Sequence, residues 1–175
     1  MKKTMHIILA VICLLASMLT GCTAREDAGS FTAEDIALRY GNVRVQYGDN
    51  AEAILAALGS DCTYSESPSC NYAHNGPNGD DGMDKFYDYA QASVTTCPLR
   101  PDGDYIRSAE AWGGQWLTDD GIGIGSTLED IRAAYGTGYA DEYGMIIFYA
   151  DPQDPSSSQL YFVMDGDVVT ALGIA

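Results

Sequence analysis

Few residues of this chain are suited to nucleophilic catalysis. A serine or cysteine nucleophile needs a neighbouring base, and His74 is the only histidine beyond the first residues of the chain. His74 lies in the polar stretch 72–77, which is typical of a surface loop. The three or four closely spaced ligands of a zinc site are also missing. The sequence therefore predicts no catalytic residue, no metal and no cofactor.

An oxygen-rich cluster suggests a different chemistry. It comprises Asn78, Asp80, Asp81 and Asp84, whose side-chain oxygens are the ligand type that calcium prefers. The spacing lacks the alternating register and terminal glutamate of the common calcium loop, so a solvated turn is favoured over a calcium site. A pair of catalytic carboxylates, as in a hydrolase, stays open because the chain holds 25 acidic residues.

The first residues have the pattern of an export signal. Lys2 and Lys3 precede the apolar stretch 7–19, which is shorter than a membrane-spanning helix requires. The stretch runs into Leu19-Thr20-Gly21-Cys22, which resembles the lipobox of bacterial lipoproteins. The resemblance implies cleavage before Cys22 and lipid attachment to its thiol, with an ordinary signal peptide as the alternative. We expect a lipid anchor at the cell membrane or outer membrane, facing the extracytoplasmic side.

The charge of the chain restricts its partners. Of nine basic residues, Lys2 and Lys3 would leave with the signal, so seven basic side chains would face 25 acidic ones, a formal charge of −18. Nucleic acids and anionic lipid headgroups bind basic surfaces. We therefore expect no nucleic acid partner, and contact with the membrane only through the N-terminal lipid.

Three cysteines follow Cys22, so at least one of them is unpaired or pairs between chains. Cys62 and Cys70 bracket a short polar stretch, whereas Cys97 lies beyond a segment rich in glycine, asparagine and aspartate. An extracytoplasmic location permits disulfides. Local closure favours a Cys62–Cys70 bridge and leaves Cys97 as the free thiol.

An internal repeat organises the mature chain. Residues 48–59 match residues 125–136 at six of twelve positions. Each segment predicts a short helix with a polar N-cap, an acid in its first turn and a glycine at its end. In each, apolar residues recur at i, i+3 and i+4 and form one buried stripe.

Runs rich in aromatic and β-branched residues follow both helices and predict antiparallel strands. Expected strands cover residues 36–40, 43–45, 70–72, 85–89, 93–97, 105–112, 145–150, 159–164 and 168–174. These elements predict an α+β fold of two tandem helix-plus-antiparallel-sheet repeats, with the helices packed on one sheet face. The predicted divisions are signal peptide 1–21, lipidated cysteine and tether 22–34, opening hairpin and first repeat 35–118, and second repeat 119–175.

The repeated Gly-x-x-x-Glu-x-Ile-x-x-x-[Leu/Tyr]-Gly helix followed by strands resembles the tandem unit of the β-lactamase-inhibitor-protein-like superfamily, which includes small outer-membrane assembly lipoproteins. The resemblance covers about residues 43–174. Gly59-Ser60-Asp61-Cys62 with Cys70 also resembles the disulfide loop of the inhibitor proteins. The resemblance implies that partner proteins bind the sheet face opposite the helices, or its loops. Two features depart from it: the segment 71–84 is longer, and Cys97 has no counterpart.

Exposed tyrosines are the predicted binding residues. Alternation along residues 159–164 places Tyr161 opposite the core-facing Leu160 and Phe162, and tyrosine is enriched at protein interfaces. The predicted partner-binding residues are Tyr87, Tyr89, Tyr149 and Tyr161. We expect a non-catalytic lipoprotein that binds another envelope or secreted protein. The alternatives are an inhibitor of a secreted enzyme, such as a β-lactamase or protease, and a lipid-anchored carboxylate-dependent hydrolase.

Lipidation at Cys22 is directly testable. Cys22→Ala removes the thiol that would receive the lipid, so this variant should stay as an uncleaved or mislocalised precursor. Metabolic labelling with a palmitate analogue should mark the wild-type protein and leave the alanine variant unlabelled. Label retained on Cys22→Ala would disprove the assignment.

Overall fold

A computed structural model describes residues 31–69, 82–100 and 103–175. Over these residues about half of the chain is strand and 14% is helical. Two helices follow a 3₁₀ turn at Ala33–Asp35: α1 (Glu52–Leu58) and α2 (Leu128–Tyr135). The strands are β1 (Ala37–Tyr40), β2 (Val43–Gln46), β3 (Thr63–Pro68), β4 (Met83–Asp88), β5 (Ala92–Arg100), β6 (Gly103–Ala111), β7 (Trp116–Thr118), β8 (Ala140–Glu142), β9 (Met145–Tyr149), β10 (Gln159–Asp165) and β11 (Val168–Ile174).

The expected α+β class is wrong, because the described chain is mainly β-sheet. Eight strands form one antiparallel sheet in the order β3-β4-β5-β6-β11-β10-β9-β8, and three form a small sheet in the order β2-β1-β7. The helices span only seven and eight residues, and segments outside the expected strands contribute β3, β7 and β8. Separate repeats with helices on a sheet face are therefore not what the structure shows.

One seam makes the large sheet continuous. Each helix precedes four strands, and the two four-stranded sets meet where β6 pairs with β11. The register there joins Leu172 to Ala111, Gly173 to Glu110, and Ile174 to Ala109. Because these strands are far apart in sequence, the seam is a long-range pairing.

The core lies on one face of this sheet. Ile54 of α1, Ile131 and Tyr135 of α2, and Leu38 and Val45 of the small sheet are all buried in one cluster with sheet residues. The hydroxyl of Tyr135 donates a hydrogen bond of 2.6 Å to the buried Thr118 Oγ1. The two helices and the small sheet thus contribute side chains to the same core as the large sheet.

The ordered core extends into the expected tether 22–34. The Phe31 ring lies 4.8 Å from that of Phe148 and 5.9 Å from that of Tyr135, centroid to centroid. The contact with Tyr135 is edge-on and the contact with Phe148 is tilted, and aromatic contacts add to the stability that apolar burial provides. Packed structure therefore begins by Phe31.

Several local predictions are confirmed. Gly41 and Gly166 have positive φ, 58° and 59°, in the β1–β2 and β10–β11 turns. Both helices end at a glycine with positive φ, Gly59 and Gly136. Thr127 caps α2 by accepting the backbone N–H of Asp130, whose carboxylate accepts the N–H of Thr127 in return. The polar N-cap predicted for α1 is wrong, because Ala51 stands at that position and Asn50, one residue earlier, accepts the N–H of Glu52 instead.

Asp119 connects the strands of the small sheet at their outer side. It accepts hydrogen bonds from Arg44 of β2, at 2.6 Å, and from Arg39 of β1. Partial burial would raise the pKa of Asp119, but the hydrogen bonds from Arg44 and Arg39 outweigh it and hold the pKa below its usual range. The ionised form is therefore the one that stabilises the sheet.

This arrangement predicts a pH-dependent effect of Asp119→Asn. A carboxyl with a lowered folded-state pKa contributes stability above its unfolded pKa of about 3.9, and that contribution disappears as the pH falls through the folded value. At pH near 7 the variant should lose up to about 1 kcal/mol of unfolding free energy, because these pairs are part-exposed. Urea unfolding at neutral and acidic pH should show the difference vanish in acid. The exposed Asp167→Asn is the control, and an equal loss in both variants would contradict the prediction.

Candidate functional site

The face of the large sheet opposite the core is the candidate site, and we call it the open face. Along one row across the sheet, Tyr161 pairs with Ile147 and Gly173, and Gly173 pairs with Glu110. The neighbouring row holds the buried Phe148, Leu160 and Ile174 of the core. Because side chains alternate along strands, the Tyr161 row faces away from the core. On β9–β11 the open face presents Met145, Ile147, Tyr149, Tyr161, Val163 and Ala171.

Tyr161 lies across the backbone of Gly173. A Cβ atom added at Gly173 would stand 2.4 Å from the hydroxyl oxygen of Tyr161, so the ring occupies the space that a side chain would fill. Burial raises the pKa of Tyr161, and the charge of Glu110 and a hydrogen bond with it act in the same direction. The ring is therefore half-buried and fixed over two neighbouring strands.

An apolar strip surrounds Tyr161. Ile147 and Ala171 are buried, at 6% and 8% exposure, whereas Met145, Tyr149 and Val163 are partly exposed. The described residues that pack against the core do so on the opposite side of the sheet. The strip is thus a firm surface that combines apolar area with tyrosine hydroxyls.

The four predicted tyrosines do not share one face. Tyr149 lies two residues after Ile147 on β9 and so shares the open face with Tyr161. Tyr87 pairs with the fully buried Val94 and contacts the Tyr64 ring at 5.3 Å, which places it on the core side. The Tyr89 hydroxyl donates to the carbonyl oxygen of Gly59 at 3.2 Å. The expected grouping is therefore wrong for Tyr87 and Tyr89, while binding by Tyr149 and Tyr161 stays a prediction.

Glu110 and Gly173 were not predicted as parts of this site. The sequence could have indicated Gly173, because a glycine inside a strand often marks a place where another group approaches the backbone closely. No signal indicated Glu110, since its position beside Tyr161 depends on the long-range β6–β11 pairing.

The cysteines agree with the prediction only in part, because Cys97 is the free thiol that was expected. Cys62 and Cys97 are free, and Cys70 lies outside the described residues. Cys62 precedes β3, and Ser69 at the other end of this strand donates its N–H to Gly82. The free thiol of Cys62 does not fit the predicted bridge to Cys70. Cys97 is buried, and burial raises the pKa of its thiol.

The residues considered for catalysis and calcium binding are only partly described. His74, Asn78, Asp80 and Asp81 lie outside the described residues. Asp84 is buried on β4 and accepts a hydrogen bond of 2.7 Å from Arg107. In the described parts of the chain, no three His, Cys, Asp or Glu side chains gather as a metal site. Arg107 therefore supplies the positive charge that balances the Asp84 carboxylate.

Comparison with protein-family models, curated proteins and solved structures found no match. Within residues 31–69, 82–100 and 103–175, no helix is long and apolar enough to cross a membrane.

The contact between Tyr161 and Gly173 predicts a specific sensitivity. Gly173→Ala should force the Tyr161 ring away and cost about 1 to 3 kcal/mol of unfolding free energy, the usual range for overpacking. Denaturant unfolding measures the loss. Gly138→Ala is the control, because a Cβ there meets nothing within 4 Å. On a Tyr161→Ala background the cost of Gly173→Ala should largely disappear, and a persistent cost would contradict the contact.

Proposed function

We propose that this protein is a non-catalytic, lipid-anchored lipoprotein that binds another envelope or secreted protein through the open face. The observation that carries the proposal is the apolar strip around Tyr161 and Val163, on the sheet face opposite the core. Apolar area joined to tyrosine hydroxyls is the composition that protein interfaces favour.

The fixed position of Tyr161 supports this use. A side chain that is already held in place loses little conformational entropy on binding. Tyr161 lies over Gly173 and is tied to Glu110, so its ring is positioned before a partner arrives. Ile147 and Ala171 within the strip are buried, so this part of the surface is closely packed.

Charge limits the kind of partner. The whole chain carries a formal charge of −16, and Glu110 lies at the edge of the strip. Opposite charge accelerates encounter between proteins, and salt screens this effect. A partner with a basic binding surface therefore fits the proposal, with an association rate that falls as salt rises.

The anchor limits where the partner can be. Eight residues, 23–30, separate Cys22 from Phe31. Fully extended, this segment spans roughly 30 Å. A lipidated Cys22 would therefore keep the open face near the membrane surface, within reach of membrane-bound or locally secreted proteins.

Substitution on the strip tests the proposal. Val163→Arg places a charge in the partly exposed centre of the open face and should abolish partner capture without unfolding the domain. Glu129→Arg is the matched control, because Glu129 is an exposed residue on α2. A photo-crosslinking residue at Val163, introduced into the anchored protein in cells, should yield a defined adduct that is absent when the same residue replaces Glu129.

Two results would disprove this function. The first is an identical set of adducts from positions 163 and 129. That result would mean that other proteins contact the open face no more than they contact α2. The second is unchanged partner capture by a folded Val163→Arg protein, with circular dichroism and thermal melting as the check on folding.

A further inference from the structure

A pocket of about 210 Å³ lies on the core side of the molecule, apart from the open face. It opens between the end of α1, the β4–β5 turn and the small sheet. Its lining includes Tyr40, Leu58, Asp61, Tyr89, Gln91 and Trp116. Four separate segments of the chain thus contribute its walls.

Three aromatic side chains line the pocket. Tyr40 and Trp116 pair across the small sheet, with ring centroids 5.2 Å apart and planes at 42°. Tyr89 approaches from the β4–β5 turn, held by its hydrogen bond to the carbonyl of Gly59. Trp116 is only 3% exposed, so its ring packs against Tyr40 and leaves the accessible aromatic surface of the pocket to Tyr40 and Tyr89, which are both partly exposed. The aromatic walls are therefore fixed by contacts that do not involve a ligand.

The only formal charge among the residues that line the pocket is negative. Asp61 is the only acidic residue in the lining, and no lysine or arginine belongs to it. The chain as a whole is strongly acidic, with a formal charge of −16. A negative potential of this kind attracts cations and repels anions.

We propose that this pocket binds an organic ammonium group, quaternary in preference to primary. The faces of tyrosine rings attract cations, Tyr40 and Tyr89 are the partly exposed aromatic residues of the lining, and the Asp61 carboxylate at the same pocket supplies a full negative charge. A quaternary ammonium group has no N–H donors to satisfy, so aromatic walls can replace its hydration. This site is independent of the function proposed for the open face.

The test compares ligands that differ only in charge or methylation. Choline is titrated against the folded protein, with tryptophan fluorescence and calorimetry as readouts. The uncharged alcohol in which carbon replaces the choline nitrogen has the same shape, and ethanolamine has the primary ammonium group. Choline should bind about tenfold or more tightly than the alcohol, a factor within the range of one or two cation–π contacts, and more tightly than ethanolamine.

A matched pair of variants identifies the role of Asp61. Asp61→Asn should weaken choline binding about fivefold, consistent with loss of one nearby charge in a part-solvated site, and leave the weak binding of the alcohol unchanged. Asp141→Asn removes a carboxylate from β8, at the far edge of the large sheet, and should change neither. Both positions are exposed, so both variants should fold.

Each contrary result overturns the proposal. Equal binding of choline and its uncharged analogue would make the pocket an apolar crevice. Equal effects of Asp61→Asn and Asp141→Asn would assign any cation binding to overall charge. Tighter binding of ethanolamine would overturn the quaternary preference, and no saturable binding at millimolar choline would remove the site.

Discussion

The antiparallel pairing of β6 with β11 is the constraint on which the rest of the structure depends. Three residue pairs join the two four-stranded sets at this seam, and the seam contributes to both faces of the sheet. On the core side, Ala109, Leu172 and Ile174 are almost completely buried. On the open face, Tyr161 lies across Gly173 and reaches Glu110, so that one side chain connects β10, β11 and β6. The same pairing therefore closes the core and forms the centre of the candidate binding surface.

Two ion pairs also connect strands of the large sheet that are not direct neighbours, in this case β4 and β6. Lys85 of β4 contacts Asp104 of β6 at 2.6 Å, and Arg107 of β6 contacts Asp84 of β4 at 2.7 Å. Both pairs span β5, which lies between those strands. The hydrogen bond to Asp104 raises the pKa of Lys85 and outweighs the opposing effect of burial. Side chains that connect strands across an intervening one limit shear of the sheet.

The sequence was informative where structure depends on neighbouring residues. The turns at Gly41 and Gly166, the glycine ends of both helices and the strand Val168–Ile174 all follow from local backbone preferences and alternation. The strand β3 did not, because all six of its residues are exposed and no buried alternation marks it. The faces of Tyr87 and Tyr161 could not be compared from sequence, since their relation depends on register across four intervening pairings. The pocket could not be predicted from the sequence either, because its lining residues come from separate segments that meet only in the folded chain.

The distribution of charge connects the fold to its proposed ligands. Among the cationic side chains that the structure describes, Arg39 and Arg44 bind Asp119, and Lys85 and Arg107 bind the carboxylates on β6 and β4. Arg132 donates to the Tyr139 hydroxyl at 2.7 Å. These contacts hold elements of the fold together, so the few cations neutralise acidic groups within the structure. The chain keeps a formal charge of −16, and the acidic residues beside the two proposed sites are Glu110 at the open face and Asp61 at the aromatic pocket. Because lysine and arginine are few and the described ones pair within the fold, they leave the acidic residues of the proposed sites without a nearby cation. This is why both proposals favour cationic or basic ligands.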